Sequence, residues 1–207
     1  MNIPLLHRSL LAIFIGVFAW SVIEPKDVFI WALEVFPAVI GLTLVIATYR
    51  KFRLTDLVYT MILLHCIILM VGGHYTYAEM PLFDWLQQQF DLARNYYDRV
   101  GHIAQGVFPA IIVREILLRL TPLQPGGWLF FIVTSICLAF SAFYEFIEWW
   151  VALLTGEAAD AFLATQGDVW DTQWDMFLCF CGAMLSQLLF ARLHDAQRRI
   201  LVENKGT

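Results

Sequence analysis

Charge is scarce in this sequence. Asp, Glu, Lys and Arg together make up 15% of it, where a soluble domain usually carries about 25%. That shortage argues for lipid surroundings rather than water. Basic residues are outnumbered 13 to 18 by acidic ones and form no cluster, which removes the electrostatic footprint of a nucleic-acid-binding protein. Cysteine is limited to Cys66, Cys137, Cys179 and Cys181, each inside an apolar run. Cys179 and Cys181 stand two apart, so a helix points them to nearly opposite faces. A disulfide framework is not expected, and such thiols serve as small apolar packing groups. The sequence has no HExxH, no CxxC and no phosphate-cradling loop, and neither internal repeats nor low-complexity segments.

What is abundant is hydrophobic surface: 60% of the chain, with mean hydropathy +0.67. Six apolar runs are legible, over 9–23, 28–49, 57–73, 98–120, 128–154 and 170–193, each near the ~20 residues a bilayer requires. The expected fold is all-α, a multi-pass transmembrane helical bundle of about six spans, forming a single integral membrane domain over 1–207. The first run follows His7-Arg8 and ends near Ala19-Trp-Ser21, features shared with a secretory signal. A second apolar run follows so soon that an uncleaved span is favoured. Pro25 ends the first span, and Pro37 is expected to kink the second, which membrane helices tolerate. In the polar, aromatic loop from 75 to 97, Phe83–Phe90 reads as a short interfacial helix. A small acidic loop is expected over 155–167 and a polar tail from Asp195 to Thr207. The eight Trp and seven Tyr suit anchoring at headgroup depth.

Orientation follows from where the basic residues fall. Ten of the thirteen, from Arg8 to Lys205, lie at one set of span ends, while Lys26, Arg94 and Arg99 lie at the other. The positive-inside rule then predicts cytoplasmic N- and C-termini and an inner-membrane location.

On that map four spans deliver acids and imidazoles to one layer near the non-cytoplasmic surface. Asp98, His102 and Gln105 share a helix face at the start of the fourth span. His74 closes the third span, with His65 deeper. Tyr144, Glu145 and Glu148 lie toward the outer end of the fifth, and Asp168, Asp171 and Asp175 open the sixth. Ions near a bilayer centre cost about 2.5 to 3.5 kcal/mol each on insertion scales, so a partner or a wet cleft is required. For Glu145 and Glu148 the plainer partner is Arg94 or Arg99. Asp168 and Asp171 also suit a solvated loop or a helix N-terminus. His65 alone on an apolar face reads more readily as a packing residue, and His74 after two glycines as a turn residue. Trp149, Trp150, Trp170 and Trp174 surround the layer as an aromatic belt or as a wall for a lipid substrate.

Two chemistries use such a set. Asp98, His102, Glu145, Glu148, Asp171 and Asp175 can act as general acids and bases, because clustered carboxylates raise one another's pKa. Alternatively His74, His102, Asp98, Glu145, Glu148 and Asp175 can ligate a divalent metal, the mixed N/O set suiting Zn or Mn better than Ca.

The segments Gly73–Ala78, Tyr97–Gly106, Tyr144–Glu148 and Gly167–Met176 resemble the bacterial inner-membrane YjdF family over nearly the whole chain. That resemblance implies a location and an architecture. More distantly, Asp98/His102, Glu145 or Glu148, and Asp171/Asp175 are similar to motifs of VanZ-like membrane proteins, with Asp175 where those carry Asn. This similarity implies a role in the cell envelope. The expected function is therefore a periplasm-facing His/carboxylate site acting on an envelope or lipid-linked substrate, with the bilayer as the other partner. A proton-coupled or small-solute transporter is the rival, although the inner halves of the spans look nearly devoid of polar groups. The third reading is a structural or assembly protein locked by its polar cluster.

Overall fold

Polar caps at the ends of the apolar runs decide where the helices begin. Asp27 accepts hydrogen bonds from the backbone of Phe29 (2.8 Å) and Ile30 (3.0 Å), and Thr55 accepts one from Val58 (3.4 Å), satisfying amides that would otherwise have no partner. The computed structural model of the protein describes residues 3–155 and 163–203. Among these residues seven α-helices are described: α1 (Leu5–Val22), α2 (Val28–Thr48), α3 (Asp56–Tyr75), α4 (Pro81–Phe90), α5 (Tyr97–Leu120), α6 (Gly127–Thr155) and α7 (Asp171–Glu203). A single 3-10 turn, Tyr77–Glu79, links α3 to α4. Among the described residues there is no strand. Part of the expected 155–167 loop and the last four tail residues lie outside the described segments.

Two helices form the spine. α3 packs against α1, α2 and α5, while α5 packs against α3, α6 and, most extensively, α7. The α5–α7 seam is close because glycine faces backbone on both sides. A Cβ at Gly106 would overlap the carbonyl oxygen of Cys179, and one at Gly182 the carbonyl oxygen of Ile103. Small residues that let helix backbones approach are the usual basis of packing in lipid, where no hydrophobic drive separates helix from acyl chain. Cys137 and Cys179 are buried beside this seam with Ala110, Val133 and Ala183, and all four cysteines are unbridged packing groups.

Contacts between loops sort the helix ends into two sets. At one end His7 bonds Tyr49 (2.6 Å) and Asp56 (2.8 Å), Thr55 bonds Glu115, and Leu57 N–H donates to Gln197 (2.8 Å). At the other, the Lys26 backbone donates to His74 (2.9 Å) and the start of α5 meets the start of α7. The helices therefore run antiparallel in succession. α4 has no buried residue and leaves Leu82, Trp85 and Phe90 exposed, the form of a helix lying along an interface.

The structure bears on two sequence expectations, the number of spans and the extent of the tail. Among the described residues five helices, α1, α2, α3, α6 and α7, are long and apolar enough to cross a membrane. α5 is long enough but carries Asp98, Arg99, Arg114, Glu115 and Arg119. The first four of these are buried against neighbouring helices, so a helix ringed by protein need not be apolar. The expected tail is also largely absorbed: α7 continues to Glu203, because Asp195 is tied to Arg114 (2.8 and 2.9 Å) and Arg198.

Candidate functional site

The first turns of α5 and α7 meet through charge. Asp171 and Asp175, four residues apart, present one face of α7, and two arginines fit between that face and α5. Arg94 reaches Asp171 (2.5 Å), the carbonyl of Ala164 (2.8 Å) and Asp98 (3.4 Å). Arg99 reaches Asp171 (2.6 Å), Asp168 (3.0 Å) and Asp175. Both guanidiniums are buried and both are engaged by aspartates. Asp168 has a second role, accepting from the backbone of Trp170 (2.9 Å) at the start of α7. The loop before α7 is pinned by a reciprocal pair: Asn95 N–H donates to Gln166, and Gln166 donates back to the Asn95 carbonyl, both at 2.9 Å.

Behind these ion pairs lies His102. Its Nε2 is 3.4 Å from Asp98 and 3.7 Å from Asp175, and its Nδ1 is 3.2 Å from the amide oxygen of Gln105. Glu145 and Glu148, three apart on α6, face the same imidazole. The structure thus assembles two overlapping groups, Asp98–His102–Asp175 and His102–Glu145–Glu148, all buried, with the ligating atoms of each group within 4.8 Å of one another. The expected pairing of Glu145 or Glu148 with Arg94 or Arg99 is not made, because the aspartates hold both arginines. Glu145 Oε1 is instead buried without any hydrogen-bond partner.

A cavity of about 100 Å³ opens beside His102, lined among others by Glu34, His65, Tyr77, Asp98, Tyr144 and Glu148. Tyr77 fits there because Gly72 and Gly101 leave room for its ring. Burial pushes its phenol well above the ordinary value, and neighbouring Glu34 adds to the effect. His65, expected as a packing residue, lies against Phe108 at 5.9 Å between ring centroids and also borders the cavity. His74 joins neither group. Its ring lies between Trp20 and Tyr75, with Nδ1 3.2 Å from the carbonyl of Ser21, so it locks the α1–α3 corner. The four tryptophans are about half exposed or more, Trp150 least at 46% and Trp170 most at 64%, as an aromatic belt requires.

Sequence reasoning missed Glu34. Its carboxylate is buried on α2 and accepts from Tyr144 (3.3 Å); one acid in the otherwise apolar run 28–49 was the available signal. It also missed a second polar layer. Glu115 accepts from Thr55 N–H and Oγ (3.1 and 2.7 Å), from Arg119 (2.6 Å) and from His194 (3.2 Å), while Arg114 bridges His194 (2.6 Å) and Asp195. The ends of α5 and α7 opposite the His102 layer, expected to be nearly devoid of polar groups, are therefore not so.

Residues 6–196 match the family described as "Predicted membrane protein (DUF2238)". The chain belongs to this family. This DUF2238 protein is 45% identical over 199 residues to the inner membrane protein YjdF of Escherichia coli (strain K12), covering 96% of this chain and 92% of that protein. No solved structure matches. Together with its apolar helices, these relationships make this DUF2238 member a multi-pass protein of the inner membrane.

Proposed function

We propose that the His102 layer is a periplasm-facing acid–base site acting on an envelope or lipid-linked molecule. The observation that carries this reading is the convergence of a buried imidazole and three carboxylates outside its own helix, Glu145, Glu148 and Asp175, beside a cavity. Structural locks pair their charges, as Glu115 does at the other end of the bundle. Among the described residues neither glutamate pairs with an arginine or lysine; each faces only the titratable imidazole of His102, which is how a group that must exchange protons is kept. Within the site Asp98 and His102 form the proton-transfer pair, and Glu148 on the cavity wall is the second acid or base. Asp171 and Asp175 hold the arginines that fix α5 against α7 and so set where His102 points.

Orientation follows from the positive-inside rule over six crossings. The Arg-rich ends of α2, α5 and α7 are assigned to the cytoplasm, and the His102 layer to the periplasm. A lipid-linked substrate is supported by the exposed tryptophans at this depth and by the similarity of the Asp/His and Glu positions to VanZ-like envelope proteins. The test is lipid and cell-wall precursor profiling in a strain lacking the protein, complemented with wild type or His102→Ala. A lipid-linked species should accumulate in the deletion and the variant and clear with wild type; identical profiles in all three would sink the reading.

One observation favours transport: polar layers occupy both ends of α5 and α7. Between them, however, Ala110, Cys179 and Ala183 are fully buried at the closest part of the seam. Proton flux in proteoliposomes separates the two, since a one-sided site conducts nothing.

A further inference from the structure

The two glutamates of α6 present an unresolved imbalance. Arg94 and Arg99 are both taken by aspartates, which already outnumber them. Glu145 and Glu148 therefore add negative charge to a buried layer with no further guanidinium or ammonium in reach among the described residues. Buried charge in that state neutralises itself or binds a cation. Glu145 is the second indication: its Oε1 is wholly buried without a hydrogen bond, and one of its carboxylate oxygens lies within 4.8 Å of the ligating atoms of His102 and Glu148. Carboxylates and imidazoles projecting inward from facing helices, some at i,i+3 spacing, are how helix bundles hold metal in their cores. The imidazole is also set up for it. Nδ1 lies beside the amide oxygen of Gln105, and in the tautomer that donates there Nε2 offers its lone pair to an ion. Orientation of a histidine ligand through its other nitrogen is the usual arrangement in metal sites.

We infer that His102, Glu145 and Glu148 bind a divalent transition-metal ion, with Asp98 and Asp175 beside the imidazole. One nitrogen and two carboxylate oxygens suit Zn, Mn(II) or Fe(II); the imidazole disfavours Mg and Ca. Three protein ligands leave a coordination position open to water or substrate, as in catalytic rather than structural sites. His74, placed at the α1–α3 corner, is not a ligand. This inference rests on reading the same layer as a working site and revises its roles: with His102 and Glu148 as ligands, Asp98 is left as the proton-exchanging group.

The test uses the full chain purified in detergent, stripped with a chelator, then equilibrated with ZnCl2 or MnCl2 and freed of excess ion. Elemental analysis should find about one ion per chain in wild type. His102→Ala and the double variant Glu145→Gln/Glu148→Gln should lose it, while His74→Ala and Glu34→Gln keep it. Because a variant could lose metal by misfolding, the melting temperature is read with and without ion. Wild type should be raised by metal, since a ligand that binds only the folded state stabilises it. The double variant should melt cooperatively and ignore the ion. No ion in wild type, or equal binding by the double variant, overturns the metal. If wild type binds none and His102→Ala still fails to complement, the metal falls and the acid–base reading stands. If the ion binds as described and His102→Ala complements fully, the metal stands and the catalytic reading falls.

Discussion

Asp171 and Glu145 are both buried acids in one layer, yet their surroundings make opposite demands. Asp171 accepts from Arg94 and Arg99 at 2.5 and 2.6 Å, so it closes a charge-assisted network. Removing one member of a buried ion pair strands its partner and costs about 3–5 kcal/mol. Arg99→Met should therefore lower unfolding stability by about that amount, measured by denaturation in detergent. Glu145→Gln in metal-stripped protein should cost nothing, or raise the melting temperature, because no hydrogen bond to Oε1 is lost. An equal loss in both variants would mean that Glu145 has a partner. At this scale the sequence was only partly readable. His102 with Asp98 was legible because both lie on one helical face, whereas His74 shared their depth but not their side of the bundle. Depth comes from counting along a span; azimuth depends on which helix packs where.

Helix α5 explains why the elements were easier to read than their roles. Its boundaries could be read within a residue, since Pro122 and the preceding polar loop bracket it. Its centrality could not, because local pattern does not say that α3, α6 and α7 surround it. The seam with α7 is the feature that fixes this. Gly106→Val and Gly182→Val each drive a side chain into the opposing backbone, at a cost beyond the about 1–3 kcal/mol typical of overpacking. Both should lose monodisperse protein on size exclusion. Gly41→Ala has nothing within 4 Å to meet and should express normally. The far end of the same pair is held by Glu115, buried completely among Thr55, Arg119 and His194. Glu115→Ala should cost about 3–5 kcal/mol by leaving those groups unpaired, with no effect on metal retention at the His102 layer. Loss of metal in Glu115→Ala with an intact fold would mean that the two layers are coupled.

For the molecule as a whole, the number of crossings decides which side the site faces. Composition alone counts five helices and leaves out α5, which would put the termini on opposite sides. The proposed orientation needs six. At about 1.5 Å per residue, a helix of α5's length is ~36 Å long and spans a ~30 Å hydrocarbon core. Its ends also join the two opposite polar layers, Asp98 with Asp171 through Arg94 at one end and Glu115 with His194 at the other. Charges on it are screened from lipid by the helices around it, so the insertion cost that excludes them from an isolated span does not apply. A cysteine-free background carrying one new cysteine tests this. Val169→Cys, at a position 84% exposed beside the His102 layer, should react with a membrane-impermeant maleimide in spheroplasts. Arg199→Cys, exposed at the other end of α7, should react only after the membrane is opened. Fusion of green fluorescent protein to the C-terminus should fluoresce, because that terminus is assigned to the cytoplasm together with the N-terminus. Labelling of Arg199→Cys from outside would reverse the bundle, and the His102 layer would then face the cytoplasm and could not act on periplasmic substrates.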